Sequence, residues 1–332
     1  MRVLLIKMSS LGDVVHTLAP LTDAAAANPG IRFDWVVEEG YKEIPKWHPS
    51  VDRVIVAPLR RWRKAPFRTV RSGEWNRFRS ELRSANYDLV FDAQGLMKSA
   101  FVARQSGQPI TGRSRESVRE AAASFLYTHK IDVDLRLTEV EQLRQLFART
   151  LGYEQPHTPA DFGIDRNQFQ IATHEPYAVF FHGAAWPAKL WSQENWIALG
   201  KHIRAAGLAL KLAWGTDDER KRAQCIVDAV GGTVMPKLSV GELARMIANA
   251  KFAVGLDTGL THVAIALGVP TVTMYGPSAP MLHEVKNRNL IDICSVNSTE
   301  YDASRPNTVP LPKVLAAIQP WLANHHASQS LR

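Results

Sequence analysis

Short apolar segments alternate with helical patterns along most of this chain, and this alternation restricts its fold more than any other feature. In the first half, strands are predicted at residues 3–6, 31–37, 53–56 and 87–92, and helices over residues 14–25, 74–84 and 138–151. In the second half, strands are predicted at 178–182, 208–214, 252–256 and 271–275, and helices over 192–206, 217–230, 239–250 and 260–267. Strands that alternate with helices form a parallel sheet with both faces covered. The chain is therefore predicted to be an α/β protein.

The length of 332 residues suits two domains rather than one. Residues 152–176 are rich in proline and polar side chains, lack periodicity, and are predicted to be the linker. We predict two doubly wound, Rossmann-like domains that face each other across a cleft, at residues 1–160 and 175–310. A C-terminal helix and tail, residues 311–332, is expected to pack back toward the N-terminal domain.

Several function classes lose support from missing signals. No stretch approaches the roughly 18 apolar residues of a membrane span, and the N-terminus lacks a signal peptide, so a cytoplasmic location is expected. Neither a dinucleotide fingerprint nor a P-loop follows a first strand, which leaves an NAD-dependent oxidoreductase as a remote alternative. The two cysteines, Cys225 and Cys294, are far apart, and no His/Cys spacing indicates a metal site. We expect neither cofactor nor metal.

The positive charge of the chain is concentrated in one region. The formal net charge is +8, and residues 53–119 carry 15 Lys and Arg against 5 Asp and Glu. The densest part, RRWRK at residues 60–64, indicates a polyanionic partner. Nucleic acid, an anionic membrane surface and a phosphorylated or acidic-sugar acceptor all fit it, as does a solvated surface. No clear RNA-binding motif accompanies it.

Ligands of doubly wound sheets bind at the carboxyl ends of strands, which directs attention to residues 7–13, 183–189, 215–219 and 257–262. In GLDTGLTH, Thr258 and Gly259 begin a helix whose first amides suit a diphosphate, and Asp257 could bind sugar hydroxyls. Alternatively, Asp257 and Thr258 only cap the helix, and His262 only bonds a nearby backbone group.

Three further residues in these loops could carry chemistry. Lys189, in HGAAWPAKLW, can reach an anion as a mobile charge. Glu219, in WGTDDER, could accept hydrogen bonds from ribose hydroxyls, or could be part of an acidic first helical turn. Asp13 is predicted to open a helix directly after the first strand, beside Gly12. A carboxylate is a poor phosphate ligand, so the local pattern leaves the role of Asp13 open, and a plain helix cap is one possibility.

Four segments in register resemble one family. MRVLLIKMSSLGDVVHTLAPLTDA, HGAAWPAKLW, WGTDDER and VGLDTGLTHVAIALGVPTVTMYGP are similar to the lipopolysaccharide heptosyltransferases of glycosyltransferase family 9, and the K-x-S-S-x-G-D opening is nearer to type I than to type II. The resemblance implies a GT-B fold and inverting, metal-independent transfer from ADP-heptose to Kdo2-lipid A. Heptosyltransferase II, or another nucleotide-sugar enzyme of this architecture such as an epimerase, remains an alternative.

The resemblance also implies roles for individual residues. Asp13 matches the catalytic base, Lys189 the diphosphate-binding lysine, and Glu219 the acid that binds the adenosine ribose. The implied donor-binding set is Lys189, Glu219, Leu238 near adenine, Asp257 on heptose, Thr258, Gly259, Leu260 and His262, with Ala184 and Ala185 replacing a family Thr pair. The implied acceptor-binding set is Ser9, Ser10, Gly12, Arg60, Arg61, Arg63 and Lys64.

The sequence departs from the family pattern in one further stretch, and the resemblance also implies a set of partners. The family stretch His-Ala-Val-Glu-Arg is TEVEQ here, residues 138–142, which puts an acceptor contact there in doubt. The expected partners are ADP-heptose, Kdo2-lipid A and, by peripheral association, the cytoplasmic face of the inner membrane. Neither nucleic acid nor an obligate protein partner is expected.

Overall fold

The computed structural model describes residues 1–172, 175–276, 290–295 and 306–329, without the side chains of 324–329. The chain divides into two compact units, Met1–Ile164 and Asp165–Arg332. The division falls inside the segment predicted to be a linker. The end of the family-like segment, residues 277–280, and the last residues, 330–332, lie outside the described residues.

The first unit is built on one parallel sheet. Its strands are β1 (Arg2–Ile6), β2 (Arg32–Val37), β3 (Val51–Val56), β4 (Leu89–Asp92), β5 (Ile110–Arg113) and β6 (His129–Ile131). Its helices are α1 (Leu11–His16), α2 (Leu18–Ala27), α3 (Leu59–Lys64), α4 (Pro66–Arg71), α5 (Glu74–Leu82), α6 (Met97–Arg104) and α7 (Glu139–Leu151). The sheet order is β3-β2-β1-β4-β5-β6.

The described part of the second unit repeats this plan. Its strands are β7 (Tyr177–Phe181), β8 (Ala209–Leu212), β9 (Thr233–Val234), β10 (Phe252–Leu256), β11 (Thr271–Tyr275) and β12 (Leu290–Cys294). Its helices are α8 (Gln193–Ala205), α9 (Asp217–Val230), α10 (Val240–Ala248), α11 (Gly259–Ala266) and α12 (Leu311–Gln329). The sheet order is β12-β11-β10-β7-β8-β9, and every strand pair is parallel.

Both sheets have the doubly wound strand order, so the prediction of two Rossmann-like α/β domains is confirmed. In each sheet the first and fourth strands of the unit are neighbours: β1 beside β4, and β7 beside β10. Successive connections run in opposite directions from such a pair, which opens a crevice at the carboxyl ends of its two strands. These two switch points are therefore the places to look for ligand-binding residues.

Apolar runs and helix caps explain why most elements form where the sequence predicts them. Residues 3–6 of β1 are fully buried, as expected of a central parallel strand covered on both faces. Thr138 accepts the N–H of Glu141, whose carboxylate bonds back to Thr138, and this capping box starts α7. Ser239 and Glu242 start α10 in the same way.

Four strands, β5, β6, β9 and β12, lie outside the predicted set. They are short or polar; β5 reads Ile-Thr-Gly-Arg, yet all four residues are buried. Its Arg113 donates to Gln142 Oε1 at 2.9 Å, a partner 29 positions away. A Cβ on Gly112 would stand 2.5 Å from the Tyr127 ring, so glycine is needed there. Local apolar patterning could not reveal a strand whose polar groups are paired through distant residues.

The C-terminal helix α12 belongs to the packing of the second unit. Its Val314, Ile318 and Leu322 are buried in the core cluster that also contains Phe252 of β10. That the helix and tail also pack toward the first domain stays a prediction. Over the part of the chain that the structure describes, none of the helices has the length and apolar composition that a membrane span requires.

Candidate active site

Asp13 lies in the first turn of α1, just after the carboxyl end of β1. The prediction that it opens the helix is wrong by two positions, because Ser10 is the N-cap and α1 begins at Leu11. Asp13 Oδ2 accepts hydrogen bonds from the backbone N and from Oγ of Ser10, both at 2.8 Å. The helix-cap interpretation is therefore correct for Oδ2, whereas Oδ1 contacts charged side chains.

Asp13 Oδ1 belongs to a cluster of charges with the buried Lys7 and Glu139 and the exposed Arg119. Arg119 Nη2 donates to Asp13 Oδ1 at 2.6 Å and to Glu139 Oε1 at 2.9 Å. Lys7 Nζ, on a side chain 1% exposed, lies 3.7 Å from Asp13 Oδ1 and 3.6 Å from Glu139 Oε1. Arg113, buried on β5, adds a third cation that interacts electrostatically with both acids. With three cations and two carboxylates, the cluster carries excess positive charge.

These neighbours determine the charge state of Asp13. Burial disfavours its ionised form, but Lys7 and Arg119, with hydrogen bonds from Arg119 and Ser10, outweigh burial, and the pKa of Asp13 lies well below its usual range. Burial lowers the pKa of Lys7 against the opposing effect of Asp13 and Glu139. Burial also acts to lower the pKa of Arg119, but the two carboxylates raise it above its ordinary value. Asp13 is therefore an ionised carboxylate at neutral pH.

The loop that carries Ser9 and Ser10 is fixed by residues that follow β4, the strand beside β1. Gln94 Nε2 and Lys98 Nζ donate to Ser9 Oγ at 3.2 and 3.3 Å. Gly12 is buried within the first turn of α1. The predicted acceptor residues of this loop therefore lie at the switch point of the first sheet, together with Asp13.

A buried carboxylate at the end of β4 orders the loop that contains Gln94. Asp92 Oδ2 accepts from Ser99 Oγ at 2.8 Å and from Tyr127 OH at 2.7 Å. Asp92 Oδ1 accepts the backbone N–H groups of Gln94 and Gly95 at 2.9 and 3.3 Å. Burial raises the pKa of Asp92 although these bonds oppose the shift. The network holds the loop in one conformation against the Ser9 loop.

Part of the basic segment borders a cavity in the first unit. The cavity has a volume of about 500 Å³ and is lined by Glu38, Glu39, Gly40, Tyr41, Arg60, Arg61 and Lys64. All three cations come from α3, in which Arg60 and Arg61 each lie about one helical turn before Lys64. Three of the four predicted basic acceptor residues are thus brought together, whereas the exposed Arg63 is not among the lining residues.

Two of these cations already have partners. Arg61 Nη2 lies 2.5 Å from Glu74 Oε1, and Arg61 Nε lies 3.6 Å from Glu39 Oε2. Arg60 Nη2 donates to Tyr41 OH at 3.4 Å, and its guanidinium lies over the Tyr41 ring. An anion that enters the cavity would meet an oriented Arg60 and would compete with carboxylates for Arg61.

In the second unit, Lys189, Asp257 and His262 meet at the switch point between β7 and β10. Lys189 Nζ lies 2.5 Å from Asp257 Oδ2, and His262 Nε2 lies 3.3 Å from Asp257 Oδ1. Burial disfavours ionised Asp257, but His262 and then Lys189 outweigh it, and the pKa of Asp257 lies well below its usual range. The predicted diphosphate lysine and heptose aspartate are therefore ion-pair partners, and His262 faces a side chain rather than only the backbone.

Thr258 is the N-cap of α11, which begins at Gly259 and continues with Leu260. Thr258 Oγ1 lies 3.5 Å from Thr261 Oγ1, which itself donates to Leu256 O at 2.6 Å. The first-turn amides of a helix have no intrahelical acceptor, so this terminus suits an anion beside Lys189.

Glu219 lies in the acidic first turn of α9, as the alternative interpretation stated, and it forms a capping box with the N-cap residue Thr216. Its Oε2 accepts the N–H groups of Gly215 and Thr216 at 2.6 and 3.1 Å. A Cβ on Gly183 would stand 2.3 Å from Glu219 Oε1, so this glycine gives the carboxylate its space. The two carboxyl-end loops of β7 and β8 therefore meet at Glu219, and its contact with ribose stays a prediction.

The remaining predicted donor residues flank these loops. Ala184 is half-buried against the core, and Ala185 is exposed. Leu238 is half-buried shortly after β9. Nearby, Trp214 donates its indole N–H to Met235 O at 2.6 Å, and its ring lies 5.7 Å from the Lys237 ammonium. Trp214 therefore presents an aromatic ring in this region, and no sequence signal had indicated it.

Asp292 is a further acid near this cluster that the sequence analysis missed. It lies on β12, in register with Thr273 of β11. Burial raises the pKa of Asp292 to about 6, His262 opposes the shift, and Asp257 adds to it. Over residues 1–172, 175–276, 290–295 and 306–323, no three His, Cys, Asp or Glu side chains are placed to bind a metal ion.

The structure also adds Lys7, Gln94, Arg119 and Glu139 to the candidate site. Lys7 is in a loop that the strand-end rule selected, and the same rule applied to residues 87–92 would have found Gln94. Glu139 lies in the stretch that departs from the family pattern, where the sequence only put an acceptor contact in doubt. Arg119 is 106 positions from Asp13 and carries no local signal.

Comparison with known proteins agrees with this geometry. Residues 75–311 match the model of glycosyltransferase family 9 (heptosyltransferase). Lipopolysaccharide heptosyltransferase 1 of Pseudomonas aeruginosa is 48% identical over 283 residues, 84% of this chain and 80% of that protein. The structure of E. coli heptosyltransferase WaaC with ADP superposes with a TM-score of 0.86 at 40% identity, covering 97% of this chain and all of that one. Lipopolysaccharide heptosyltransferase 2 of E. coli K12 is only 24% identical over 84% of each chain.

The fold is therefore GT-B, the type I resemblance is confirmed, and the type II alternative has less support. A chain with this coverage and these switch-point residues belongs to glycosyltransferase family 9, the heptosyltransferases.

Proposed function

We propose that this protein transfers heptose from ADP-heptose to Kdo2-lipid A with inversion at the anomeric carbon and without a metal ion. The observation that carries the proposal is the environment of Asp13. It is an ionised carboxylate at a switch point, with one oxygen fixed by the Ser10 cap and the other in contact with Arg119 and near Lys7. Its orientation is set without any substrate, as a general base requires.

Inverting transfer needs a base that removes the proton of the acceptor hydroxyl as that oxygen attacks the anomeric carbon. Such assistance is typically worth about 10²–10⁴-fold in rate. Asp13 Oδ1 would take this proton. Arg119 is the most exposed cation in contact with it, 37% exposed. An anionic group of the acceptor that binds Arg119 would weaken its hold on Asp13 and so strengthen the base.

The departing ADP carries growing negative charge, which the second unit can stabilise. Lys189 is 22% exposed and already lies at the N-terminus of α11, where the amides of Gly259 and Leu260 are available. A diphosphate that takes Lys189 would leave Asp257 to accept hydrogen bonds from sugar hydroxyls. Glu219 and Leu238 would contact the ribose and the adenine.

The acidic acceptor fits the first unit. Kdo is a sugar acid, and the cavity beside α3 offers Arg60, Arg61 and Lys64 to its carboxylate and to phosphates. Because this acceptor is a lipid, we place the protein at the cytoplasmic face of the inner membrane as a peripheral protein. No nucleic acid, cofactor or obligate protein partner enters the proposal.

The test is a product assay with ADP-heptose and purified Kdo2-lipid A, in the presence of a chelator. Asp13→Asn should abolish transfer, because an amide cannot accept the proton although its oxygen can still accept the Ser10 N–H. Calorimetry should show that the variant binds ADP as the wild type does. Lys189→Ala should instead weaken ADP binding by about tenfold, the value expected for one hydrogen bond to a charged group. Absence of heptosylated product from the wild type would refute the proposed reaction, and turnover by Asp13→Asn would refute the base.

A further inference from the structure

Helix α4 exposes apolar side chains to an unusual degree. Phe67 is 90% exposed and Val70 is 67% exposed. They are three positions apart and therefore lie on one face of the helix. Thr69, on the opposite side, is buried and donates to Ala65 O at 3.0 Å, so the helix has a defined inner and outer face.

Cations surround this apolar face. Arg68 and Arg71 are exposed on the same helix, and residues 59–73 contain no acidic side chain. They are separate from the cations that line the cavity beside α3, since neither residue is part of its lining. The outer face of α4 thus combines apolar side chains with positive charge, the composition of surfaces that bind anionic membranes.

The elements beneath the helix are firmly packed. Trp62 of α3 is 6% exposed and contacts Trp75 and Phe78 edge-on, with ring centroids 5.5 and 5.1 Å apart. Helix α4 in turn packs on α5, which carries both of those partners. Phe67 is therefore exposed on a helix that packs against well-packed neighbouring elements.

We propose that the outer face of α4 docks onto a lipid bilayer with anionic headgroups. Phe67 and Val70 would enter the boundary between headgroups and acyl chains, while Arg68 and Arg71 would pair with lipid phosphates. The inference rests on the proposed function, since a lipid-linked acceptor is presented in such a bilayer. The positive charge of Arg68 and Arg71 is complementary to anionic lipid headgroups, which favours a membrane as the occupant. Two apolar side chains beside two arginines form too small a patch for a stable protein interface.

The test measures sedimentation of the full-length protein with vesicles of phosphatidylcholine, with and without phosphatidylglycerol. Phe67→Ser combined with Val70→Ser should lower binding to the anionic vesicles by about tenfold or more, given the apolar area removed. Arg68→Ala with Arg71→Ala should remove the preference for anionic over neutral vesicles.

Phe125→Ser is the matched control. Phe125 is 71% exposed and has Arg115 5.6 Å from its ring, yet it lies outside α4. Its replacement should change vesicle binding by less than twofold. Equal losses in the control and the double variant, or none in the double variant, would overturn the proposal. Release of the protein from the anionic vesicles by about 10 mM inorganic phosphate would also overturn the proposal, because it would indicate a site that binds phosphate rather than a surface that docks on lipid.

Activity on a deacylated, water-soluble acceptor separates this inference from the proposed function. The Phe67→Ser, Val70→Ser variant should use that acceptor as the wild type does and lose turnover only on vesicle-embedded acceptor. If the wild type transfers no heptose at all, the proposed function fails, while vesicle binding still decides the docking surface. Equal thermal unfolding temperatures would show that the variants are folded.

Discussion

Glu139 is expected to control the basicity of Asp13 although it would touch neither substrate. Both carboxylates bind the same nitrogen of Arg119, and both lie within 3.7 Å of Lys7 Nζ. In Glu139→Gln, Asp13 would become the sole anionic partner of these two cations and would lose a repelling neighbour. Each change stabilises the ionised form of Asp13 and so makes it a weaker base.

The magnitude follows from the geometry. Asp13 Oδ1 and Glu139 Oε1 lie 2.6 and 2.9 Å from one nitrogen, so they are at most about 5.5 Å apart. At an effective dielectric constant of about 20, their repulsion is worth about 3 kcal/mol, which corresponds to about 2 pKa units. With a Brønsted coefficient of about one half, Glu139→Gln should lower kcat roughly tenfold.

The assay is steady-state transfer at saturating acceptor, with both KM values and kcat determined. We expect kcat to fall while the KM for ADP-heptose is unchanged, since the proposed donor residues are in the second unit. Adding Arg119→Gln should restore much of kcat, because it removes the surplus cation, although acceptor KM should rise. A protein merely damaged by the first substitution would not recover with the second.

Glu141→Gln is the matched control, with the same chemical change two positions along α7. Its carboxylate bonds Thr138 in the capping box, and glutamine serves equally well there. We expect wild-type kcat from this variant. The reasoning is refuted if Glu139→Gln keeps kcat within twofold of wild type, or if the control loses as much.

Three further predictions concern the second unit. In calorimetry, Asp257→Asn should tighten ADP binding several-fold, because Lys189 loses its competing carboxylate. ADP-heptose should then lose its advantage in affinity over ADP. Weaker ADP binding would contradict the proposal that a diphosphate replaces Asp257 as the partner of Lys189. Gly183→Ala should weaken ADP binding, because the new Cβ would displace Glu219. The thermal unfolding temperature should stay within a few degrees of the wild-type value. An unchanged affinity for ADP would argue against a contact between Glu219 and the ribose. Asp292→Asn should stabilise the protein by about 3 kcal/mol in urea unfolding at pH 7.5, because the pKa of Asp292 is raised to about 6 and the folded state loses stability as pH rises from about 4 through 6. The advantage should vanish near pH 4, and a difference that persists there would exclude this cause.

The parts of the fold that the sequence predicted well are those set by local interactions. The observed bounds of β10, β11 and α9 are those predicted, because buried apolar runs and a Thr216 cap define them within a few residues. The helix predicted over residues 14–25 is instead two helices, and α2 carries Pro20 in its first turn, where no N–H is available for the carbonyl of His16. Such a break depends on a missing backbone donor that apolar periodicity does not register.

The candidate site was predictable only in part, for a related reason. The strand-end rule and the family resemblance identify Asp13, Lys189 and Asp257, but not what each of them contacts. Arg119 and Glu139 reach Asp13 from loops and helices formed more than 100 residues later, so their role depends on the completed sheet order. The ion pair of Lys189 with Asp257 likewise joins the ends of β7 and β10, which are adjacent only because the strand order reverses there.

At both switch points, a carboxylate at the end of a central strand is paired with a cation that an anionic ligand would also attract. Removing one partner of a buried ion pair typically costs about 3–5 kcal/mol, so the ligand must replace the interaction that it breaks. On the proposed function, a diphosphate would do this for Lys189, and the sugar hydroxyls would then do it for Asp257. In the first unit an acceptor anion would do it for Arg119, and the acceptor hydroxyl would do it for Asp13. It follows that Asp13 would become a stronger base only while the acceptor is bound, which would limit proton abstraction from water and wasteful hydrolysis of the donor.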